Sequence, residues 1–169
     1  RRLMFNKPRL NVIACDEGYS VQVLGPTTGL MYTEGPRRAV IDSEWLTGPS
    51  RLGVNGARPP RWEPPYDNEP LSMAHWLRIL HNVRRAFRWD GYEIAIQWPI
   101  LYEHRIPFDL NHGYPAGDTL FYECLHCGTI IPSRPPDSTS CRCGNISIDK
   151  GYGRLSIKDH AEARLLAVD

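Results

Sequence analysis

The sequence predicts an α+β fold, in which an antiparallel sheet with one amphipathic helix packed on it is followed by a small module held together by cysteines. Three observations lead to this prediction. Short segments rich in Val, Ile, Leu and Tyr alternate with glycine and proline turns over residues 10–42. Residues 71–89 carry apolar side chains at helical spacing. Two close pairs of cysteines lie between residues 124 and 143.

The first module begins with four predicted strands, at residues 10–15, 19–24, 30–33 and 38–42. A turn-forming glycine separates each from the next, and this spacing is typical of an antiparallel meander. Residues 47–70 then contain so many glycines and prolines that neither a regular helix nor a central strand is expected there. We predict a long exposed loop for this segment.

The predicted helix ends before Asp90 and Gly91, which form a stop signal. Its apolar stripe, expected to face a core, comprises Met73, Trp76, Leu77, Leu80, Val83 and Phe87. The opposite face, expected to be solvated, carries Arg78, His81, Arg85 and Arg88, with Arg84 at its edge. Residues 92–98 alternate between apolar and polar side chains. This alternation predicts a half-buried strand in the sheet on which the helix packs.

The cysteine pairs lie in the stretch CLHCGTIIPSRPPDSTSCRCG, residues 124–144, as C-x2-C-G and C-x-C-G. Two thiolates from each of two turns can complete a tetrahedron and leave no open coordination position, which marks a structural metal site. The glycine after each pair lets the backbone curl toward the sulfurs. We therefore predict a zinc ribbon with one structural zinc per chain, bound by Cys124, Cys127, Cys141 and Cys143.

Two other uses of these cysteines are weighed against zinc. Disulfides are typical of small secreted domains, and nothing else in the chain indicates secretion. A redox C-x-x-C pair begins a helix, whereas here a strand-like Thr129-Ile130-Ile131 follows. The short C-x-C arm also fits rubredoxin-type iron less well than zinc. His126 is expected to point outward from its turn, and Cys15 to be a buried apolar side chain.

Composition limits the function classes. Lys and Arg number 20 against 19 Asp and Glu, a net charge of +1, so no overall field draws the chain to nucleic acid or to an anionic membrane. No apolar run reaches the ~20 residues of a membrane span, and residues 1–10 lack the apolar core of a signal peptide. These features predict a cytoplasmic protein without a membrane partner.

Two functional readings of the polar residues remain open. The ribbon has a mildly basic surface that nucleic acid could use, formed by Arg134, Arg142, Lys150, Tyr152, Arg154 and Lys158. Alternatively, His104 and His112 lie in one irregular segment with acidic neighbours and could serve a hydrolase. They lack the spacing of an established catalytic motif. We expect no enzymatic activity.

The first module resembles small bacterial immunity proteins of polymorphic toxin systems. The resemblance covers about residues 10–98 and rests on the runs DSEWLTGP, RWEPPYDNEPLS and ILHNVRRAFRWDGYEIAIQW. It implies a non-catalytic protein that binds and neutralises a cognate toxin domain. The cysteine-bearing half is not part of the resemblance, so the predicted domains are an immunity-like domain at residues 1–110 and, from the cysteine spacing, a zinc-ribbon domain at residues 118–169. The resemblance implies a structural or an interface role for Trp62 and Glu63, and the loop that carries them could instead pack down on the sheet. Because large aromatic and arginine side chains often anchor interfaces, the predicted partner contacts are Trp62, Glu63, Tyr66, Arg78, Arg85 and Arg88.

Overall fold

The computed structural model describes residues 2–150 and 154–169. It confirms the α+β class, with one α-helix in the described residues and sheets that are almost wholly antiparallel. The chain divides into two compact units. Unit 1 contains Arg1–Ser72 and Asn82–Pro99, and unit 2 contains Met73–His81 and Ile100–Asp169. This grouping differs from the predicted division at residues 110–118, because the first half of the helix belongs with the cysteine-bearing unit.

The meander of unit 1 has one more strand than the sequence predicts. It is a five-stranded antiparallel sheet in sequential order, formed by β1 (Phe5–Arg9), β2 (Val12–Cys15), β3 (Tyr19–Gly25), β4 (Gly29–Glu34) and β5 (Arg37–Ile41). The unpredicted β1 contains a proline and charged residues, a composition that is tolerated at a sheet edge. Leu30 and Tyr32 of β4 are completely buried, so the core of this sheet lies along its central strands.

A second sheet of unit 1 corrects the prediction of an irregular loop at residues 47–70. Its strands are β6 (Ser43–Trp45), β7 (Leu52–Asn55) and β8 (Ala95–Gln97), with β7 in the centre. Leu52 and Val54 alternate with exposed neighbours and are buried, which explains a strand inside a glycine-rich segment. Strand β8 pairs with β7 in parallel, so the segment after the helix joins this sheet rather than the meander.

The helix α1 (Met73–Trp89) ends at the predicted stop signal. Gly91 has a φ of 89°, and its N–H donates to the Arg88 carbonyl at 3.0 Å while the Tyr92 N–H donates to the Phe87 carbonyl at 2.8 Å. These two bonds form a Schellman motif, which satisfies carbonyls of the last turn. Because the Tyr92 backbone takes part in ending the helix, it is not available to a strand. The strand predicted at residues 92–98 is therefore shorter, Ala95–Gln97, and Tyr92 is 48% exposed.

The polar face of α1 is largely buried, which corrects the prediction of a solvated basic face. Leu80 and the other central apolar residues are buried as expected, but His81, Arg84 and Arg85 are also at least nine-tenths buried. Within unit 1, Arg85 lies 3.5 Å from Glu17 and its guanidinium is 5.9 Å from the Phe5 ring. Arg85 is therefore part of the packing of the second half of the helix on the meander, where an acidic and an aromatic side chain compensate its charge.

Unit 2 contains two small sheets. The first has the order β11 (Ile130–Pro132), β10 (Leu120–Cys124), β15 (Ala163–Ala167) and β9 (Arg105–Ile106), and the second joins β12 (Thr139–Ser140), β13 (Ile146–Ile148) and β14 (Leu155–Ile157). All pairs are antiparallel. One apolar cluster joins Tyr122 and Ile131 of the first sheet to Ile146 and Ile148 of the second, and it includes Cys124 and Cys141. The cysteines are thus built into the core of this unit.

Candidate metal centre and binding surface

The first cysteine pair occupies the turn of the hairpin formed by β10 and β11. Cys124 ends β10 and its N–H donates to the Thr129 carbonyl at 2.9 Å. Gly128 has a φ of 74° and donates its N–H to the Cys124 carbonyl at 2.8 Å. A residue with a Cβ would be strained in this left-handed conformation, so the glycine lets the chain return tightly and brings Cys127 back toward Cys124.

The second pair occupies the equivalent turn between β12 and β13. Cys141 donates its N–H to the Ile146 carbonyl at 2.9 Å, and Gly144, with a φ of 78°, donates to the Cys141 carbonyl at 3.1 Å. The Ile146 N–H also donates to the Cys141 sulfur at 3.3 Å. In both turns the N–H of the first cysteine donates to the carbonyl five residues later. The positive φ of the glycine after each pair confirms its predicted role in curling the backbone.

The two turns bring all four sulfurs together. The Sγ atoms of Cys124, Cys127, Cys141 and Cys143 lie within 4.8 Å of one another. Cys143 Sγ is 3.6 Å from both Cys124 Sγ and Cys141 Sγ, so these pairs are not disulfides. A tetrahedral zinc with Zn–S bonds of about 2.3 Å requires sulfurs about 3.8 Å apart. The four cysteines can therefore hold a metal ion with small shifts of their side chains.

Thr129 connects the two turns behind the sulfurs, and its role was not found from the sequence. It is 3% exposed, and its Oγ1 accepts the Arg142 N–H of the second turn at 3.2 Å. The same oxygen lies 3.2 Å from Cys127 Sγ of the first turn. A hydroxyl has two lone pairs and one proton, so it can accept from the amide and donate to a thiolate at once. The only available signal was its position directly after the Cys-Gly pair.

Hydrogen bonds and burial shift the pKa values of three of the four cysteines in different directions. The hydrogen bond with Cys141 lowers the pKa of Cys127 to about 3, against the opposing effect of burial. The same bond, together with burial, raises the pKa of Cys141, and burial raises that of Cys124. A divalent cation would favour the deprotonated form of all its ligands.

The neighbouring predictions for this module have separate outcomes. His126 is exposed on the first turn, and Cys15 is buried in unit 1, both as predicted. Arg142, Arg154 and Lys158 are exposed, while Tyr152 lies outside the described residues. The possible basic surface of the ribbon is therefore described only in part.

The predicted partner contacts at residues 62–66 are engaged within unit 1. Trp62 is 3% exposed, so of the two alternatives, an exposed anchor or packing on the sheet, this side chain follows the second. Glu63 pairs with Arg38 at 2.7 Å, and its N–H donates to the Arg38 carbonyl, so the segment covers the edge strand β5. The Tyr66 ring lies under the Arg37 guanidinium, 4.9 Å from its centroid. This segment packs down on the meander, since covering an edge strand satisfies its open backbone groups.

The three predicted helix contacts also have internal partners. Arg85 is buried, as described above, which contradicts its expected exposure. Arg88 and the buried Arg84 both bind the Glu93 carboxylate, with an Arg84 Nε to Glu93 Oε1 distance of 3.0 Å. Arg78 donates to the Asp118 carbonyl within unit 2 and lies over the Phe121 ring. None of these arginines is a freely exposed charge.

His104 and His112 are not brought together by any hydrogen bond or ion pair recorded in the described residues. His112 is 84% exposed at its side chain and pairs with Asp109 at 3.1 Å. The nearest acidic contact of His104 is Glu103, at 3.8 Å. Among residues 2–150 and 154–169, the four cysteines form the one cluster of His, Cys, Asp or Glu suited to a metal.

An exposed aromatic surface on unit 1 was missed by sequence reasoning. Trp45, Trp89 and Tyr92 are each about half exposed, at 52%, 47% and 48%. Trp45 and Tyr92 line one cavity of about 250 Å³, and Trp89 stacks on Phe5 at 5.7 Å. Trp89 does not line that cavity, so we name only the surface formed by Trp45 and Tyr92 the aromatic surface. Sequence patterns placed Tyr92 inside a strand and did not weigh Trp45, so neither was predicted to be exposed.

Comparison with protein families, curated proteins and solved structures gives no match: no family model fits the chain, and no significant relative is found by sequence or by structure. The resemblance to immunity proteins therefore stays a prediction from the motifs. In the described residues, no helix combines the length and the apolar character that a membrane crossing requires.

Proposed function

We propose that this protein is a non-catalytic immunity protein, which binds and neutralises a cognate bacterial toxin domain and carries one structural zinc ion. The observation that carries the proposal is the aromatic surface on unit 1, the unit whose sequence resembles immunity proteins. Tryptophan and tyrosine are enriched at protein interfaces, where they supply large contact area at a low cost in side-chain entropy.

The charged groups of unit 1 support binding rather than chemistry. Arg37 pairs with Glu69 at 2.6 Å, and Arg84 and Arg88 share Glu93. The first pair joins segments 32 residues apart, and the other two tie Glu93 back to the end of the helix, so all three have a structural role. A catalytic acid or base would instead need a pKa adjusted to proton transfer near neutral pH. The pKa of Glu93 is below its ordinary value because the hydrogen bond from Arg88 and the charge of Arg84 outweigh burial.

Zinc suits the four-cysteine site for chemical reasons. Thiolates are soft ligands that favour zinc, and four of them leave no position for a substrate or for water. Cys124, Cys127, Cys141 and Cys143 would bind the ion, which would lock the two hairpin turns together and stabilise unit 2. Free thiols are retained in a reducing compartment, which agrees with a cytoplasmic protein that meets its toxin inside the producing cell.

A nucleic-acid function is the second candidate, and exposed Arg142, Arg154 and Lys158 on unit 2 are the observation in its favour. It is not preferred, because the net charge of the chain is only +1 and the exposed tryptophans, Trp45 and Trp89, are on unit 1. Nucleic-acid binding would show a steep fall of affinity with salt, whereas a protein interface anchored by aromatic side chains would show a shallow one.

The experiment that tests the proposal is co-expression of this protein with the toxin domain from its own gene neighbourhood. We expect growth rescue, a stable heterodimer on size-exclusion chromatography, and about one zinc per chain by elemental analysis. Trp45→Ala should weaken rescue and leave the melting temperature nearly unchanged. The matched control is Tyr102→Ala, which alters a 64%-exposed aromatic side chain in unit 2.

Two results would overturn this function. One is the absence of any complex with the neighbouring toxin domain, in a preparation shown to be folded and metal-loaded. The other is turnover of a small substrate that is abolished by His104→Ala or His112→Ala, which would favour a hydrolase.

A further inference from the structure

The cavity beside Trp45 and Tyr92 has the size of a single side chain. Its volume is about 250 Å³, below the roughly 300–1,000 Å³ of pockets that enclose whole small molecules. Its lining residues come from three parts of unit 1 and comprise Val23, Trp45, Arg51, Leu52, Phe87, Asp90, Tyr92, Glu93 and Ile94. Apolar side chains form most of the wall, and three charged residues form the rest.

The walls of the cavity are held by backbone bonds. Trp45 pairs with Leu52 in the β6–β7 ladder, and the Leu46 N–H donates to the Arg51 carbonyl at 2.8 Å. Tyr92 follows directly on the Schellman motif that ends α1. A cavity whose walls are already ordered loses little conformational entropy on binding, so its shape is prepared for a partner.

The three charges of the cavity are not equivalent. Asp90 pairs with Lys7 at 2.7 Å, and Glu93 is bound by Arg84 and Arg88, so both carboxylates are compensated. Arg51 is exposed, and no hydrogen bond or ion pair of its guanidinium is recorded within the described residues. The uncompensated charge at the mouth of an otherwise apolar cavity is therefore one arginine.

We propose that this cavity is the anchor site of the protein: it takes one apolar side chain of a protein partner while a carboxylate next to that side chain pairs with Arg51. The identification of the partner as the toxin domain rests on the proposed function. A partner that covered Arg51 without supplying an acceptor would leave a desolvated charge, and this cost selects for a carboxylate. The planar guanidinium is suited to bind a carboxylate through two parallel hydrogen bonds.

A protein segment fits the cavity better than a nucleic-acid strand. A strand of phosphates needs several cations along its path, whereas the cavity provides Arg51 beside two carboxylates. A single aspartate or glutamate beside an aromatic or aliphatic side chain needs only this one cation.

The first test uses two probes of opposite charge, 3-phenylpropionate and 3-phenylpropylamine, with the purified zinc-loaded full chain. Binding is followed by the NMR shift of the Trp45 indole N–H. We expect the carboxylate to bind about fivefold more tightly than the amine, the upper range for an exposed ion pair. Arg51→Gln should abolish the preference and retain binding of the ring. Arg58→Gln, which changes an exposed arginine outside the cavity, should leave the preference unchanged.

The second test uses the complex with the neighbouring toxin domain. Arg51→Glu should raise the dissociation constant at least about 30-fold, as expected for loss of an interfacial arginine anchor. An aspartate or glutamate of the toxin changed to lysine should recover part of that loss. Trp45→Ala should weaken the complex in parallel, with Arg58→Glu as the control for a charge change elsewhere on unit 1.

The outcomes distinguish a failure of the proposed anchor site from a failure of the proposed immunity function. If the complex forms and neither Arg51→Glu nor Trp45→Ala weakens it, the anchor site is wrong and the immunity function stands. If the probes bind with the expected preference but no toxin complex forms, the cavity chemistry is supported and the toxin as occupant is overturned. Equal binding of both probes by the wild type, or tighter binding of a single-stranded oligonucleotide at the Trp45 indole, overturns the anchor site itself.

Discussion

Replacing Thr129 with valine would test whether the two cysteine turns depend on one hydroxyl. Valine has nearly the same shape as threonine, so the change leaves no cavity at a position that is 3% exposed. It removes the oxygen that accepts the Arg142 N–H at 3.2 Å and lies 3.2 Å from Cys127 Sγ. The effect of the substitution therefore reports the hydrogen bonds alone.

The expected magnitude follows from two independent estimates. Leaving a buried N–H without a partner costs about 1–3 kcal/mol. Loss of a group that hydrogen-bonds a metal ligand weakens metal affinity by about 10–100-fold, which is about 1.4–2.7 kcal/mol at about 1.36 kcal/mol per tenfold. The estimates overlap, so we expect Thr129→Val to weaken zinc binding by about 10–100-fold.

The measurement is competition for zinc against a chromophoric chelator of known affinity, with thermal unfolding of the zinc-saturated protein recorded in parallel. Thr129→Ser is the matched control, because it retains the hydroxyl and removes only a methyl group. The serine variant should bind zinc within a few fold of the wild type. If the valine variant bound zinc as tightly as the wild type while the serine variant did not, the packing of the methyl group would be the important contact and the reasoning would fail.

Three further predictions address the rest of the molecule. Cys141→Ser, which alters a side chain in the core of unit 2, should abolish stoichiometric zinc and remove the protection from hydrogen exchange of residues from about 120 onward. A variant with full zinc occupancy would refute the ligand assignment. Trp62→Ala should cost about 3–5 kcal/mol and lower the melting temperature by roughly 10 °C, since this tryptophan is buried; an unchanged melting temperature would contradict that burial. Glu93→Gln should cost about 2 kcal/mol at neutral pH, less than a fully buried pair because Glu93 is one-third exposed. The folded-state pKa of Glu93 is depressed, so this contribution is present above its unfolded pKa near 4.5 and is lost as the pH falls through the folded value. Denaturant titrations of both proteins should therefore converge in acid, and a constant difference down to pH 2 would refute the ion pair.

The sequence was sufficient for features set by local chemistry. The turns at Gly128 and Gly144 require positive φ angles, and the spacing of the cysteines follows directly from those turns. The end of the helix at Gly91 was predicted for the same reason, since a Schellman motif depends on a few neighbouring residues. Each of these features depends on about five consecutive residues, so it can be predicted from the sequence of that short segment alone.

Features set by partners distant in the chain were not predictable in this way. The strand at Leu52–Asn55 is the centre of a sheet that is completed by β8, about 40 residues later, in a parallel pairing that sequence patterns do not show. Arg85 is buried because Glu17 and Phe5 of the meander meet it, and a helical wheel treats any arginine as exposed. Thr129 acquires its role only when the second cysteine turn folds against the first.

The burial of the helix arginines bears directly on where a partner can bind. A basic helix face would have offered several free cations to an acidic or phosphate-rich partner, but Arg84, Arg85 and Arg88 are paired with Glu93 and Glu17. Breaking those pairs to form an interface would leave the buried arginines Arg84 and Arg85 without a compensating charge, which costs several kcal/mol. A partner of unit 1 gains more by covering Trp45 and Tyr92, which are already half exposed, and by pairing with Arg51. Because the helix arginines are already paired, the exposed aromatic side chains and Arg51 are the groups that remain for a partner, and this is why we propose a protein partner rather than a nucleic acid.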